Sequence, residues 1–290
     1  MSVRAERSRA VGAAAALAVT LALAAAATAV ATAVATAAEA QGGGEASARA
    51  IAQRVAAVRT GTVWMSFAAM PGTCGNGRGG ITVRTGGRNS FFGSGDLASK
   101  EWEDECEPGP VRVSLDVSRG TVTALRTYVG GRWRGTAALD LGTVPPAAAT
   151  DYLLGLAERG EGRPAKDAIF PASIAEGAVV WPRLLTLAKD AERPRQVRES
   201  ALFWVGQAVG DAVTAGLQEI VDDPSGDREV RKSAVFSLSQ RPKDESVPAL
   251  IRIARTHKDP ELRRSAVFWL GQSNDPRAVG FFEEVLLKGR

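Results

Sequence analysis

The sequence predicts an α+β, multidomain chain: a small antiparallel β module held by one disulfide, followed by an all-α solenoid of about four helical pairs. Three observations predict it. Residues 60–145 contain short runs in which apolar and polar side chains alternate, punctuated by glycine. The chain has only two cysteines, Cys74 and Cys106, both inside that stretch. From about residue 147 one segment recurs every 32 or 33 residues, the mark of stacked repeats. The charge balance of 36 Lys+Arg against 32 Asp+Glu, formally +4, argues against a nucleic-acid partner, which usually calls for a strongly basic face. A single histidine and two cysteines exclude most protein-only metal cages and any histidine-pair chemistry.

The N-terminus reads as an export signal. Arg4, Arg7 and Arg9 precede an uncharged stretch from Val11 to Ala38, and Ala38-Glu39-Ala40 then supplies a small-x-small cleavage site before Gln41. The expectation is a signal peptide over 1–40 and a periplasmic or extracellular mature chain. The alternative is a membrane tether made by residues 11–38, which are numerous enough to span a bilayer but dominated by alanine and threonine. Residues 41–59 read as a linker and short helix. Gly42-Gly43-Gly44 is a flexible spacer, and Ala46–Val58 places Ile51, Val55 and Val58 on one helical face.

In the β module, 60–145, the strand-like runs are Thr62–Met70, Gly80–Thr85, Arg88–Phe92, Val111–Val117 and Thr121–Val129. The last two flank Ser118-Arg119-Gly120, a hairpin signal with a three-residue loop. So small and glycine-rich a unit has little apolar area, and small cores of this kind often need a staple. In an exported chain two cysteines most simply pair, so Cys74 and Cys106 are expected as a structural disulfide; their separation is far from the C-x-x-C of reactive dithiols.

Two motifs here invite over-reading. Gly75-Asn-Gly77-Arg-Gly-Gly80 has the letters of a dinucleotide fingerprint, but strand rather than helix follows it, so a glycine loop is expected and no nucleotide. Glu101-Trp-Glu103-Asp104-Glu105-Cys-Glu107 is acidic without calcium-loop spacing and reads as a solvated segment, for which Arg126, Arg132 and Arg134 are possible counter-charges.

The repeat is explicit. Val197-Arg-Glu-Ser-Ala-Leu-Phe-Trp-Val-Gly-Gln207 returns as Val230-Arg-Lys-Ser-Ala-Val-Phe-Ser-Leu-Ser-Gln240 and as Leu262-Arg-Arg-Ser-Ala-Val-Phe-Trp-Leu-Gly-Gln272. A fainter copy surrounds Ala168, with Pro171 inside its helix. Between copies lie amphipathic segments at Trp181–Lys189, Asp211–Val221, Val247–Arg255 and Pro276–Leu287. Asp211, Asp244, Asp275, Asp227 and Asp259 sit where helix N-caps are wanted, and Pro260 takes the tolerated first position.

This pattern, an apolar helix, then Asp259-Pro260, then Leu262-Arg263 and Ala266, resembles the HEAT repeat over roughly residues 147–290. The short form is similar to the HEAT-like repeats of phycobiliprotein lyases, although nothing in the sequence points to a bilin. The resemblance implies an α-solenoid that serves as a scaffold for a protein or peptide partner, with no cofactor. It departs at Arg193-Pro194-Arg195, where no acid precedes Val197.

At 100° per residue, Val197, Ala201, Trp204, Val205 and Ala208 share an arc expected to be the buried seam. Ser200, Phe203 and Gln207 form a second arc, repeated as Ser233, Phe236, Gln240 and as Ser265, Phe268, Gln272. That arc either packs on the neighbouring repeat or forms a partly exposed binding ridge. Arg198, Arg231 and Arg263 occupy a third register, expected to bridge carboxylates such as Asp227 or Asp259. His257 is expected as a solvated turn residue, and Pro145-Pro146 and Gly160–Pro164 as hinges. The leading functional expectation is a non-enzymatic exported scaffold. The alternative is an enzyme whose carboxylates (Asp96, Glu101 or Asp104) work with Arg126 or Arg132 in a deep pocket, one carboxylate having a raised pKa.

Overall fold

The computed structural model describes residues 47–85, 88–92, 106–208 and 211–288. The export segment with its tether alternative and the glycine spacer lie outside the described residues, as do Asp96 and the acidic stretch through Glu105.

A first helix, α1 (residues 47–57), buries Ile51 and Val55 against the β module. Eight strands follow: β1 (Thr60–Phe67), β2 (Thr73–Gly75), β3 (Ile81–Thr85), β4 (Arg88–Phe92), β5 (Glu107–Pro108), β6 (Val111–Ser118), β7 (Thr121–Val129) and β8 (Leu139–Thr143). They form two four-stranded sheets, ordered β7-β6-β1-β8 and β4-β3-β2-β5. In the first sheet β7, β6 and β1 pair antiparallel, while β8 runs parallel to β1. The β6–β7 hairpin turns on two residues rather than three. Ser118 pairs with Thr121, and Arg119 (φ 53°) and Gly120 (φ 76°) are both left-handed, the two-residue geometry that matches strand twist.

Period two decides which side of the sheet is core. Val63, Met65 and Phe67 of β1 and Val111, Val113, Leu115 and Val117 of β6 are buried on one face, with Ile81 and Val83 of the second sheet in the same cluster. Fully burying side chains of this size stabilises by ~1.5–3 kcal/mol each. The disulfide Cys74–Cys106 has a Cα–Cα distance of 5.2 Å and ties β2 to the residue preceding β5.

Ten helices follow β8 in the described residues: α2 (Pro146–Arg159), α3 (Gly162–Asp167), α4 (Ile169–Ser173), α5 (Trp181–Lys189), α6 (Arg195–Gln207), α7 (Asp211–Asp222), α8 (Arg228–Ser239), α9 (Lys243–Thr256), α10 (Pro260–Gln272) and α11 (Pro276–Lys288). Helices α6, α8 and α10 stack in one row and α5, α7, α9 and α11 in the other. The faint copy around Ala168 is two short helices, α3 and α4, meeting at that fully buried alanine. Pro145-Pro146 is no free joint. Pro146 opens α2, whose Leu153, Leu154 and Ala157 are fully or nearly fully buried. The backbone also straps sheet to helices: Met70 N–H donates to the Ile174 carbonyl (2.7 Å) and Glu176 N–H to that of Ala68 (2.9 Å).

Caps follow the acids only in part. Asp227 accepts from the N–H groups of Glu229 and Val230, and Asp259 from that of Glu261. Asp275 accepts from the Arg277 N–H at the start of α11. Asp244, by contrast, lies within the first turn of α9, whose cap residue is Pro242; its charge meets the helix dipole without capping. Helix α6 starts at Pro194 with no side-chain cap, as the missing acid implies.

The arginine register departs further from expectation. Arg198 Nε donates to the Ala188 carbonyl at the end of α5 (3.0 Å), and Arg231 Nε donates to the Val221 carbonyl at the end of α7 (3.0 Å). Arg263 Nη1 donates to the His257 and Lys258 carbonyls just beyond α9. Each arginine therefore satisfies carbonyls that the preceding helix leaves without partners and places a cation at its negative end. Carboxylate bridging is secondary: Arg231 reaches Asp259 at 3.8 Å, while Arg198 and Arg263 form no ion pair among the described residues. His257 is likewise not a solvated turn residue. Its side chain is 8% exposed; Nδ1 accepts from the Asp259 N–H, and Nε2 lies 3.2 Å from Arg231 Nη2 and 3.3 Å from the Val221 carbonyl oxygen.

Candidate functional site

Two regions bring chemistry-bearing side chains together. The first is on the helices. In α6 the seam holds as expected at Val197, Ala201 and Val205, all fully buried, but Trp204 is only half-buried at its margin. There it joins the phenylalanines. Phe170 of α4 stacks on Trp204 (5.0 Å), which meets Phe203 edge-on (5.1 Å). Phe203 lies parallel to Phe236 of α8 (6.3 Å), Phe236 contacts Trp269 of α10 (4.9 Å), and Trp269 meets Phe268 edge-on (4.9 Å). Six rings thus run unbroken across four helices, in the offset and edge-to-face contacts that aromatic pairs favour.

Phe203 and Phe236 are half-buried, whereas Phe268 is 57% exposed with Val267 beside it. Ser200, Ser233, Ser265, Gln207 and Gln240 are half-buried along the same arc, and Gln272 is exposed. The rings of the arc contact those of the next repeat, and its residues stay partly exposed. Trp204 and Trp269 were not expected in this row. The i+4 distance of each from Ser200 or Ser265 was the signal available.

The second region is on the β module, on the sheet face opposite the core. Thr62 and Trp64 of β1, Arg112 and Ser114 of β6, and Arg126 and Tyr128 of β7 project there by the same alternation that buries their neighbours. Residues 130–136 fold over them, so that Arg112 and Ser114 are each only 5% exposed although they lie on the outer face. Trp133 from this loop stacks flat on Trp64 (centroids 4.5 Å, planes 2° apart) and takes Tyr128 edge-on at 6.3 Å.

The loop can lie so close because glycine meets glycine. A Cβ on Gly75 would fall 2.4 Å from the Val129 carbonyl oxygen, and one on Gly77 would fall 3.0 Å from the Gly131 Cα. Here the G-x-G-x-x-G letters find their structural use. They build a turn in which Asn76 Oδ1 accepts from the Arg78 and Gly80 N–H groups, and strand β3 follows it.

Together these elements enclose a cleft of about 400 Å³ into which Arg78, Arg112, Arg126, Arg132 and Arg134 face. Asp116 pairs with Arg126 (2.9 Å) and accepts from the Thr62 hydroxyl (3.2 Å). The other four arginines have no carboxylate partner among the described residues. Arg112 donates to the Gly130 carbonyl and sits over the Trp133 and Tyr128 rings, at 5.0 and 5.9 Å from their centroids. Its Nε has no hydrogen-bond partner among the described residues. Burial lowers the Arg112 pKa, and nearby Tyr128 offsets this only in part.

Of the residues considered for catalysis, Arg126 and Arg132 line this cleft, while Asp96, Glu101 and Asp104 lie outside the described residues. The resolved carboxylate shifts among the described residues, at Glu219, Asp223, Asp227, Asp259 and Asp275, all run downward. Among the described residues no cluster of three or more His, Cys, Asp or Glu side chains converges to hold a metal ion. No described helix is long and apolar enough to cross a membrane.

Comparison with known proteins agrees with the helical geometry. The family described as HEAT repeats matches residues 213–290, from α7 to the end of the chain. That stretch is a HEAT-like helical-repeat region, a fold consistent with a protein-interaction scaffold. No curated protein matches the chain.

Proposed function

We propose that the chain is an exported, non-enzymatic scaffold that holds a protein or peptide partner along the aromatic row of its helical array. The repeat would extend back from the matched stretch to about residue 147. The 33-residue spacing of Ala168, Ala201 and Ala234 and the continuous stacking of α6 on α8 and α10 support this. One observation carries the reading: six aromatic rings form an unbroken line from Phe170 to Phe268, crossing successive repeats with their edges accessible. Rigid aromatic side chains offer contact area at little entropic cost, and the flanking Ser and Gln side chains supply hydrogen bonds to a bound backbone. Export is supported by the basic, apolar and small-residue order of residues 1–40.

The test is selection of peptides from a displayed library on the purified chain, followed by titration against Phe268→Ser. Phe268 is exposed enough for its loss to leave the fold intact. The expected outcome is peptides rich in apolar residues whose affinity falls at least about tenfold on Phe268→Ser, with an unchanged melting temperature. Peptides that bind the variant as tightly as the parent chain would place the interaction elsewhere. Mass spectrometry of the secreted chain checks the compartment, with a mature N-terminus expected near Gln41.

A further inference from the structure

The cleft on the β module is not needed for the scaffold reading, and its chemistry is unusual. Arg112 is a cation only 5% exposed. Among the described residues its guanidinium has one carbonyl and two aromatic faces and forms no ion pair. Removing a charge from water without a counter-charge is costly, and a protein fold that only needed to fill this space would be better served by an apolar side chain. Arg78, Arg132 and Arg134 add three cations at the same opening, again without acidic partners among the described residues. Two carboxylates border the cleft among the described residues, and both are committed: Asp116 to Arg126 and Thr62, and Glu107 to the Gly131 N–H (3.0 Å).

We infer that this cleft is a binding site for a small organic oxyanion, a carboxylate, sulfate ester or phosphate ester carried on a ring. The oxyanion sits at the Arg112 end of the cleft, with Arg132 and Arg78 facing it from the loops. The ring lies along the wall made by Trp64, Trp133 and Tyr128. A planar guanidinium matches the oxygens of such groups better than a lysine would, and it binds them most strongly where water is excluded. The volume of about 400 Å³ admits a ligand of one or two rings, not a folded partner. Nothing in this inference depends on the aromatic row of the helices.

The experiment is isothermal titration of the full chain, at low and at raised salt, with phenyl phosphate, phenyl sulfate and benzoate. Inorganic phosphate and phenol serve as the two halves of the ligand, and a short oligothymidylate as a polyanion. At least one ring-borne oxyanion is expected to bind one to one and to weaken as salt is added. Phosphate alone should bind about tenfold more weakly or worse, and phenol not measurably. The pattern among the three oxyanions identifies the headgroup.

Arg132→Gln, an exposed change that leaves the fold alone, should weaken binding about tenfold, and Arg112→Met should abolish it. Arg112→Met should also raise the melting temperature of the ligand-free chain, because the unpaired buried charge is gone; a role in stability alone predicts a fall. The inference fails if none of the three ring-borne oxyanions binds the folded chain at millimolar concentration, or if binding survives Arg132→Gln and Trp133→Leu unchanged. It also fails if oligothymidylate binds tighter than any of them and gains affinity with length.

Discussion

Changing Arg231 to alanine tests what the recurrent arginine of each repeat is for. The structure assigns it first to a helix end: Nε donates to the Val221 carbonyl at 3.0 Å from a side chain only 9% exposed. A hydrogen bond from a charged donor to a buried acceptor contributes ~1.5–3 kcal/mol, and a cation at a helix C-terminus adds about 0.3–1 kcal/mol. With the packing of the aliphatic stem, the expected loss is ~2–4 kcal/mol. At roughly 2–4 °C per kcal/mol for a domain of this size, the melting temperature should fall by roughly 4–16 °C in far-UV circular dichroism.

Two companion variants separate carbonyl capping from carboxylate bridging. Arg198 makes the same bond to the Ala188 carbonyl without forming an ion pair, so Arg198→Ala should cost as much. Asp259→Asn keeps an acceptor for the Glu261 N–H while removing the charge 3.8 Å from Arg231, and should cost about 1 kcal/mol or less. Because repeats unfold as a linear array, the loss should appear as early melting of part of the transition. The reasoning is refuted if Asp259→Asn costs as much as Arg231→Ala while Arg198→Ala costs nothing.

Three further outcomes follow from the geometry. Changing Cys74 and Cys106 to serine frees a loop of about 32 residues, worth roughly 4 kcal/mol in the chain-entropy account, and should lower the urea midpoint of the β module; an unchanged midpoint would make the bond incidental. Glu245→Gln removes the carboxylate that Arg241, 2% exposed, holds at 3.0 Å, and should lower stability in equilibrium unfolding. Asp275 is held at a pKa of about 2, below the ordinary 3.8, by the side-chain hydrogen bond and charge of Arg277. Its contribution is present in full above the ordinary value and is lost as pH falls from about 4 toward 2. Asp275→Asn should therefore flatten the fall in melting temperature over that window, and a parallel slope in both chains would count against the pairing.

Much of the architecture was legible in the residues. The β6–β7 hairpin, the disulfide and helices α5 to α11 follow from alternation, cysteine count and period, because each is a local or repeating property. Strand β8 was not legible: Leu139–Thr143 has little alternation and exists because β1 offers an edge for it to pair in parallel. Pro146 opens helix α2, since proline suits the first turn. Trp204 was assigned to the seam by its angle alone, but its neighbour α4 leaves space for it to stack on Phe170.

By itself the sequence determined which faces are apolar, where helices begin and how often the brick repeats, all of which depend on neighbours a few positions apart. Only the tertiary structure decided what the remaining polar groups do. Arg198 and Arg231 find carbonyls ten residues back because one helix ends against the next, and Arg112 is sealed beneath Trp133 because two glycine turns touch. A charge reads the same in any sequence. Its partner is chosen by the fold, since Coulomb and hydrogen-bond energies depend on distance and on how much water is left between the groups.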